Sequence, residues 1–84
     1  MPTISKFYGI TIYMNQIAKE HNPPHIHILH DGYRASVDIQ NFVVIEGKIK
    51  NTAYRLTVEF IKKYQNDLME MWITGVIKKL KPLD

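Results

Sequence analysis

Three of the four histidines of this chain lie within one seven-residue segment, residues 21–27. Histidine changes charge near neutral pH, so it acts as acid, base or metal ligand more readily than other side chains. Pro23 and Pro24 separate His21 from His25 and His27, and proline rings restrict the backbone at those positions. The segment therefore indicates a functional site, although it does not name a reaction.

Metal binding is one chemistry that these residues allow. His25 and His27 stand two residues apart, so on a strand they would project from one face, about 7 Å apart. We predict Asp38 as a third ligand and His21 as a further one, reached through the two prolines. Such a set suits a divalent metal such as Zn²⁺, Mn²⁺ or Fe²⁺. Without metal, His25 and Asp38 would form a hydrogen-bonded pair across two strands.

Acid–base catalysis is a second chemistry open to the same residues. Two histidines and a cation can cleave RNA, one histidine acting as base, the other as acid, and the cation binding the phosphate. The sequence offers His25, His27 and Arg34 for these three roles. It contains no phosphate-binding glycine loop and no cysteine nucleophile.

A binding face without catalysis is the third chemistry. A sheet surface that carries histidine, arginine, serine and tyrosine can hold RNA through phosphate contacts and stacking. Tyr8, Tyr13 and Tyr33 are the candidates for stacking. A purely structural module, in which the histidines only order a turn, also fits the pattern.

Length and composition limit the class of protein. The 84 residues, 45% of them hydrophobic, predict a single domain over residues 1–84. The absence of cysteine excludes disulfides and thiolate metal sites. The net charge of +3 permits RNA as a partner. We expect no secretory signal and no membrane segment, and hence a cytoplasmic protein.

Two further expectations follow from size and from charge placement. Small domains without disulfides or metals often gain stability by pairing, so a homo-oligomer is consistent with this chain. The lysines near the C-terminus are expected to complement the dipole of a preceding helix.

The elements that would position the histidines are strands. Residues 7–14 are rich in β-branched and aromatic side chains and predict a strand, with a bulge or bend at Gly9 just before it. Residues 25–30 and 33–39 predict two strands joined by Asp31 and Gly32, a strong signal for a two-residue hairpin turn. Residues 41–49 predict a further short strand, with a fold-back at Glu46 and Gly47 as an open alternative.

The hairpin turn at Asp31 and Gly32 predicts a complete register. It pairs His30 with Tyr33, Leu29 with Arg34, Ile28 with Ala35, His27 with Ser36, Ile26 with Val37 and His25 with Asp38. Apolar pairs then occupy one face and polar pairs the other, which supports the register because a slip of one residue would mix them. His25 and His27 therefore share the polar face.

The second half of the chain predicts helix. Apolar residues recur at intervals of three or four from Ala53 to Trp72, as in an amphipathic helix. Asn51 or Thr52 is expected to cap it. Asp67 followed by Glu70 resembles a capping box, so one long helix and two shorter helices are both open. The predicted fold is α+β: an antiparallel sheet of about four to five strands with one long or two shorter C-terminal helices packed on one face.

Several of these segments together resemble a known family. The chain opens Met-Pro-Thr-Ile, continues with Phe-Tyr-Gly-Ile and then carries His-Asn-Pro-Pro-His-Ile-His, an Ala-x-Val-x-Ile strand, Glu-Gly-Lys-Ile, a helix and Trp72. In this order the elements resemble the prokaryotic family of domain of unknown function 4160. The histidine–proline element is the most specific part. Family members usually carry an acidic residue before its first histidine, and Glu20 stands there.

The resemblance implies a context rather than an activity. Genes of this family resemble components of toxin–antitoxin or mobile-element pairs, in which the partner is a small protein encoded by the adjacent gene. The leading hypothesis is a bacterial accessory protein of such a pair, acting on RNA or on a protein partner through His21, His25 and His27. A metal-binding protein or metalloenzyme and a structural interaction module are the alternatives.

Overall fold

Five antiparallel strands and one long helix form the fold of the computed structural model, which describes residues 3–15 and 23–83. The elements are β1 (Thr3–Phe7), β2 (Ile10–Tyr13), β3 (His25–His30), β4 (Tyr33–Asp38), β5 (Val44–Gly47) and α1 (Asn51–Thr74). The strands lie side by side in chain order. The predicted α+β class, with an antiparallel sheet and C-terminal helix, is confirmed.

The predicted register of β3 and β4 is confirmed at all six pairs, from His25 opposite Asp38 to His30 opposite Tyr33. Asp31 and Gly32 form the turn, with φ values of 49° and 82°. Both residues of a type I′ turn need positive φ, which aspartate tolerates and glycine adopts freely. The turn chemistry therefore decides which side chains of both strands face the core.

The bend predicted at Gly9, just before the strand, is the place where the chain reverses between two strands. Phe7 ends β1, and the chain reverses at Tyr8 and Gly9, whose φ values are 48° and 77°. The bend expected at Gly9 is thus a complete hairpin turn, and β2 begins at Ile10. Tyrosine rarely adopts positive φ, so the sequence around Tyr8 did not indicate a two-residue hairpin turn.

The core lies between one face of the sheet, here called the inner face, and α1. Fully buried side chains from the strands meet fully buried side chains from the helix, and the Phe7 and Phe60 rings stack with centroids 5.2 Å apart. The strand contribution includes Ile10, Ile12, Ile26, Ile28 and Val37. The opposite face of the sheet, here called the outer face, carries the predicted polar side chains.

One helix, rather than two, follows the sheet. It runs without interruption through Asp67, so of the two arrangements left open by the sequence the structure has the single long helix. The backbone does depart from helical geometry at Tyr64, where φ is −118° and ψ is 23°. The Tyr64 hydroxyl donates a hydrogen bond of 3.0 Å to the Lys81 carbonyl, which ties this kink to the segment after the helix.

The ends of α1 differ in how well the sequence predicted them. Its N-cap is Lys50, with no side-chain capping bond, so the caps predicted at Asn51 or Thr52 are wrong. At the other end Gly75 adopts φ 78° and donates its N–H to the Met71 carbonyl, as a C-terminal glycine commonly does.

The lysines near the C-terminus do not complement the helix dipole, contrary to expectation. The last turn of α1 contains no basic residue, because the helix ends at Thr74 and Lys78, Lys79 and Lys81 all follow it. The segment that carries them returns to the sheet, where the Leu80 N–H donates to the Ile4 carbonyl at 2.9 Å. In residues 3–15 and 23–83, no helix combines the length and apolar character that a membrane crossing requires.

Gly47 in β5 provides a test of the sheet packing. A Cβ at this position would lie 2.2 Å from the Arg34 carbonyl oxygen, whereas a Cβ at Gly32 would meet nothing within 4 Å. Both residues have positive φ, 83° and 82°. Gly32→Ala should cost about 1–2 kcal/mol, the strain of the left-handed backbone. Gly47→Ala adds the clash and should cost about 3 kcal/mol or more.

Urea unfolding of the two alanine variants measures this difference. Equal losses of unfolding free energy would contradict the close approach of β5 to β4 at Gly47.

Candidate functional site

Two neighbouring rows of side chains cross the outer face of the sheet. One row, here called the imidazole row, consists of Tyr13, His27 and Ser36. The other, here called the cation row, consists of Lys6, Thr11, Leu29 and Arg34. The rows lie two residues apart along each strand, which corresponds to about 7 Å.

The two rows differ in exposure. Tyr13 and Ser36 are only 4% and 6% exposed although they lie on the outer face. Lys6 and Arg34 are exposed, and Thr11 and Leu29 between them are half-buried. The cation row therefore offers the accessible surface, and the imidazole row offers a more enclosed one.

His27 is held on three sides by neighbouring residues. Its ring stacks on Tyr13 with centroids 5.0 Å apart and planes at 15°. Its Nε2 accepts from the Asn15 amide at 3.3 Å, so in the neutral ring Nδ1 carries the proton and donates to the Ser36 hydroxyl at 3.2 Å. Because both nitrogens are engaged, this geometry favours a positioning role for His27.

His25 is oriented by the proline segment. Its Nδ1 lies 2.8 Å from the Pro23 carbonyl oxygen, and a carbonyl can only accept, so Nδ1 carries the proton. In the neutral ring the lone pair then lies on Nε2, the nitrogen that can act as base, acceptor or ligand. This contact between His25 and Pro23 supports the expectation that the prolines orient the site.

Aromatic rings surround His25 on two sides. The His27 ring lies edge-on at 5.0 Å between centroids, and the Trp72 ring lies at 5.1 Å. Trp72 was predicted as a core residue, which is confirmed by its 8% exposure. It nevertheless reaches the site, so the last turns of α1 contribute to the surroundings of His25.

Asp38 lies opposite His25 in the register, but its carboxylate accepts hydrogen bonds from the loop that follows β4. Oδ1 accepts from the backbone N–H of Gln40 at 2.7 Å and of Asn41 at 3.0 Å, and Oδ2 accepts from the Asn41 side chain. Burial acts to raise the pKa of Asp38, but these hydrogen bonds and the positive field of His25 outweigh it. The pKa therefore lies below its ordinary value, and the carboxylate remains ionised.

The predicted metal ligands are not assembled by the described residues. Within residues 3–15 and 23–83, no group of three or more histidine or acidic side chains could hold a metal ion. The Asp38 carboxylate is not directed at the histidines because it accepts hydrogen bonds from the amides of the following loop. His21 lies outside the described residues, so the set of His21, His25, His27 and Asp38 stays a prediction.

The predicted acid–base residues lie on one face of the sheet, but Arg34 lies closer to His27 than to His25. Arg34 is a diagonal neighbour of His27, because it pairs with Leu29 two residues further along β3. Such neighbours lie about 7–8 Å apart. His25 lies four residues from Leu29, about 13 Å along the strand. A shared phosphate is therefore within easier reach of Arg34 and His27 than of Arg34 and His25, and the catalytic roles stay predictions.

Sequence reasoning missed Asn15 and the contact of Trp72 with His25, and it did not place Tyr13 against His27. The pairing of β2 with β3 decides the Tyr13 contact, and these strands are joined by a segment without a two-residue turn signal. The alternation along β2 did put Tyr13 on one face with Thr11, which was the available signal.

Comparison with known proteins identifies the family. The family model described as domain of unknown function (DUF4160) matches residues 9–73, and the chain belongs to this family. The match includes the histidine–proline segment, the β3–β4 hairpin and nearly all of α1. No curated protein and no solved structure matches the chain significantly.

Asp38→Asn tests the carboxylate's role in the loop. At pH 7 the free energy of unfolding of the variant should be about 1–3 kcal/mol lower, because the charge-assisted hydrogen bonds to the loop amides are weakened. The folded pKa lies below the unfolded value of about 3.9, so this contribution is complete above about pH 5 and disappears as pH falls through the folded pKa.

Asp67→Asn is the matched control, since Asp67 forms only an exposed ion pair with Lys78. It should change stability by less than about 1 kcal/mol. Denaturation of both variants across the acidic range measures the effect, and a stability gap for Asp38→Asn that did not narrow at low pH would refute it.

The proton position on His25 is directly measurable. Nitrogen-15 NMR of the neutral ring should show a protonated Nδ1 and an unprotonated Nε2, because the Pro23 carbonyl holds the Nδ1 proton. The opposite tautomer would mean that the prolines do not orient the ring.

Proposed function

We propose that this protein binds single-stranded RNA through the outer face of its sheet. The observation that carries the proposal is the cation row, with Lys6 at one end and Arg34 at the other. They stand three strand spacings apart, about 14 Å. Within the described residues neither cation forms an ion pair, so both charges are available to phosphates.

The surface between the two cations suits unpaired nucleotides. Thr11, Leu29 and Arg34 line a shallow cavity of about 340 Å³ beside the two hairpin turns. Tyr8, which is 59% exposed, stands at the first of those turns. Exposed aromatic rings on a sheet stack on unpaired bases, while cations hold the phosphates between them.

The charges around this cavity support an anionic ligand. Asp31 at the rim is ion-paired with Lys50, which offsets its repulsion of phosphate.

The histidines extend the same surface along the strands. Imidazole rings can bind a ribose hydroxyl, a group that distinguishes RNA from DNA. His27 supports His25 by an edge-on ring contact and is itself fixed by Tyr13, Asn15 and Ser36. The proposal thus assigns contact to His25 and positioning to His27.

The biological setting of the proposal comes from the family resemblance. We place the protein in the bacterial cytoplasm, as one component of a toxin–antitoxin-like gene pair with a small protein partner. Binding to that partner alone, through the same face, is the competing outcome.

Arg34→Ala tests the proposal through the salt dependence of RNA binding. Fluorescence anisotropy with a labelled single-stranded RNA of mixed sequence should show roughly tenfold weaker binding at low salt. The slope of log affinity against log salt should fall in magnitude by about 1, because one phosphate contact is lost.

Arg55→Ala is the matched control, since Arg55 is also exposed but lies on α1. It should bind RNA like the wild type. Equal losses in both variants would indicate non-specific attraction to a basic protein, and no RNA binding by the wild type would refute the proposal.

A further inference from the structure

A cavity lies at the β1 edge of the sheet, between this strand and the segment that follows α1. Its volume is about 480 Å³, which is within the range of pockets that hold small ligands. Only Lys6 of its described lining belongs to the cation row, so the cavity extends beyond the surface already assigned to RNA. The described lining residues are Thr3, Ile4, Ser5 and Lys6 of β1 and Lys79, Leu80 and Pro82 of the later segment.

The described residues that line the cavity carry positive charge and no negative charge. Lys6 and Lys79 are exposed, and within the described residues neither forms an ion pair. No aspartate or glutamate is among these lining residues. The half-buried Thr3 adds a hydroxyl group, which can donate a hydrogen bond. This combination favours an anion with several oxygen atoms.

The backbone that carries Lys79 is fixed immediately after this residue. The Leu80 N–H donates to the Ile4 carbonyl at 2.9 Å. The Lys81 carbonyl accepts from the Tyr64 hydroxyl at 3.0 Å. Both bonds hold the segment against the rest of the domain, so a ligand at Lys79 meets a backbone that is already ordered. Binding then costs less conformational entropy.

The cavity continues the outer face of the sheet. Lys6 lies opposite Thr11 and is the β1 end of the cation row. Thr3 lies opposite Tyr13, and residues directly opposite each other in an antiparallel pair share a face, so Thr3 also belongs to the outer face. An RNA chain along the cation row therefore reaches the cavity where it leaves β1. Residues 79–82 stand beyond β1 and bound the cavity there, which suits the end of a chain better than its interior.

We infer that this cavity binds the terminal phosphate of an RNA whose chain lies along the cation row. The inference rests on the proposed function, because it assigns the end of the same ligand. A terminal phosphate carries a charge of about −1.5 to −2 at pH 7, since its second pKa is about 6, whereas a phosphate inside the chain carries a single negative charge. Lys6 and Lys79 therefore bind the end of the chain more strongly than its interior, and Thr3 donates a hydrogen bond to a phosphate oxygen.

Three RNAs of one mixed sequence test the inference: one with a 5′ phosphate, one with a 3′ phosphate and one with neither. Each competes, at low salt, against a labelled RNA without terminal phosphates in fluorescence anisotropy. One of the two phosphorylated RNAs should bind the wild type about tenfold tighter than the RNA with neither, as expected for one added charge-assisted contact. The other should bind like the RNA with neither, because its phosphate lies at the end of the chain away from the cavity.

Lys79→Ala should remove this preference and leave the affinity for RNA without terminal phosphates unchanged. Lys81→Ala is the matched control, since Lys81 is exposed on the same segment but does not line the cavity. It should keep the preference. Circular dichroism should show both variants to be as folded as the wild type, because both side chains are exposed.

The outcomes separate this inference from the proposed function. Equal affinity for all three RNAs, or an equal gain from a phosphate at either end, would overturn the inference and leave the RNA surface along the cation row standing. A preference that survives Lys79→Ala would overturn it as well. Failure of the wild type to bind any of the three RNAs would refute the proposed function, and the inference with it.

Discussion

The two-residue turn at Asp31 and Gly32 is the constraint on which the rest of the structure depends. It sets the pairing of β3 with β4, and with it the face on which every side chain of those strands lies. A slip of one residue would carry the isoleucines to the outer face and the histidines into the core. The core and the candidate site are thus two consequences of one turn.

The division of the sheet into two faces explains how so short a chain can carry a site. The helix covers the inner face, where the burial of apolar side chains provides the stability. The side chains of the cation row on the outer face are then not required for the core, so they can present charge to a partner. Its histidines lie where the strands meet the proline segment, so rigid backbone rather than a mobile loop orients His25.

Local signals predicted the parts of the fold that local chemistry decides. The β3–β4 register followed from Asp31 and Gly32, and the helix followed from its apolar spacing. The pairing of β2 with β3 depends on contacts distant in sequence, and Tyr8 concealed the first turn. Asp38 was correctly placed opposite His25, but its carboxylate binds the nearby amides of the loop, because three hydrogen bonds there outweigh a single bond across the ladder.

The central claim is that the outer face of the sheet, along the cation row, is the surface that contacts RNA. Titration of nitrogen-15-labelled protein with single-stranded RNA, followed by amide NMR, tests it most directly. The account predicts the largest shifts at Lys6, Thr11, Leu29 and Arg34, and small shifts along the exposed side of α1. Shifts concentrated at the C-terminal lysines Lys78, Lys79 and Lys81, with the sheet unperturbed, would contradict it.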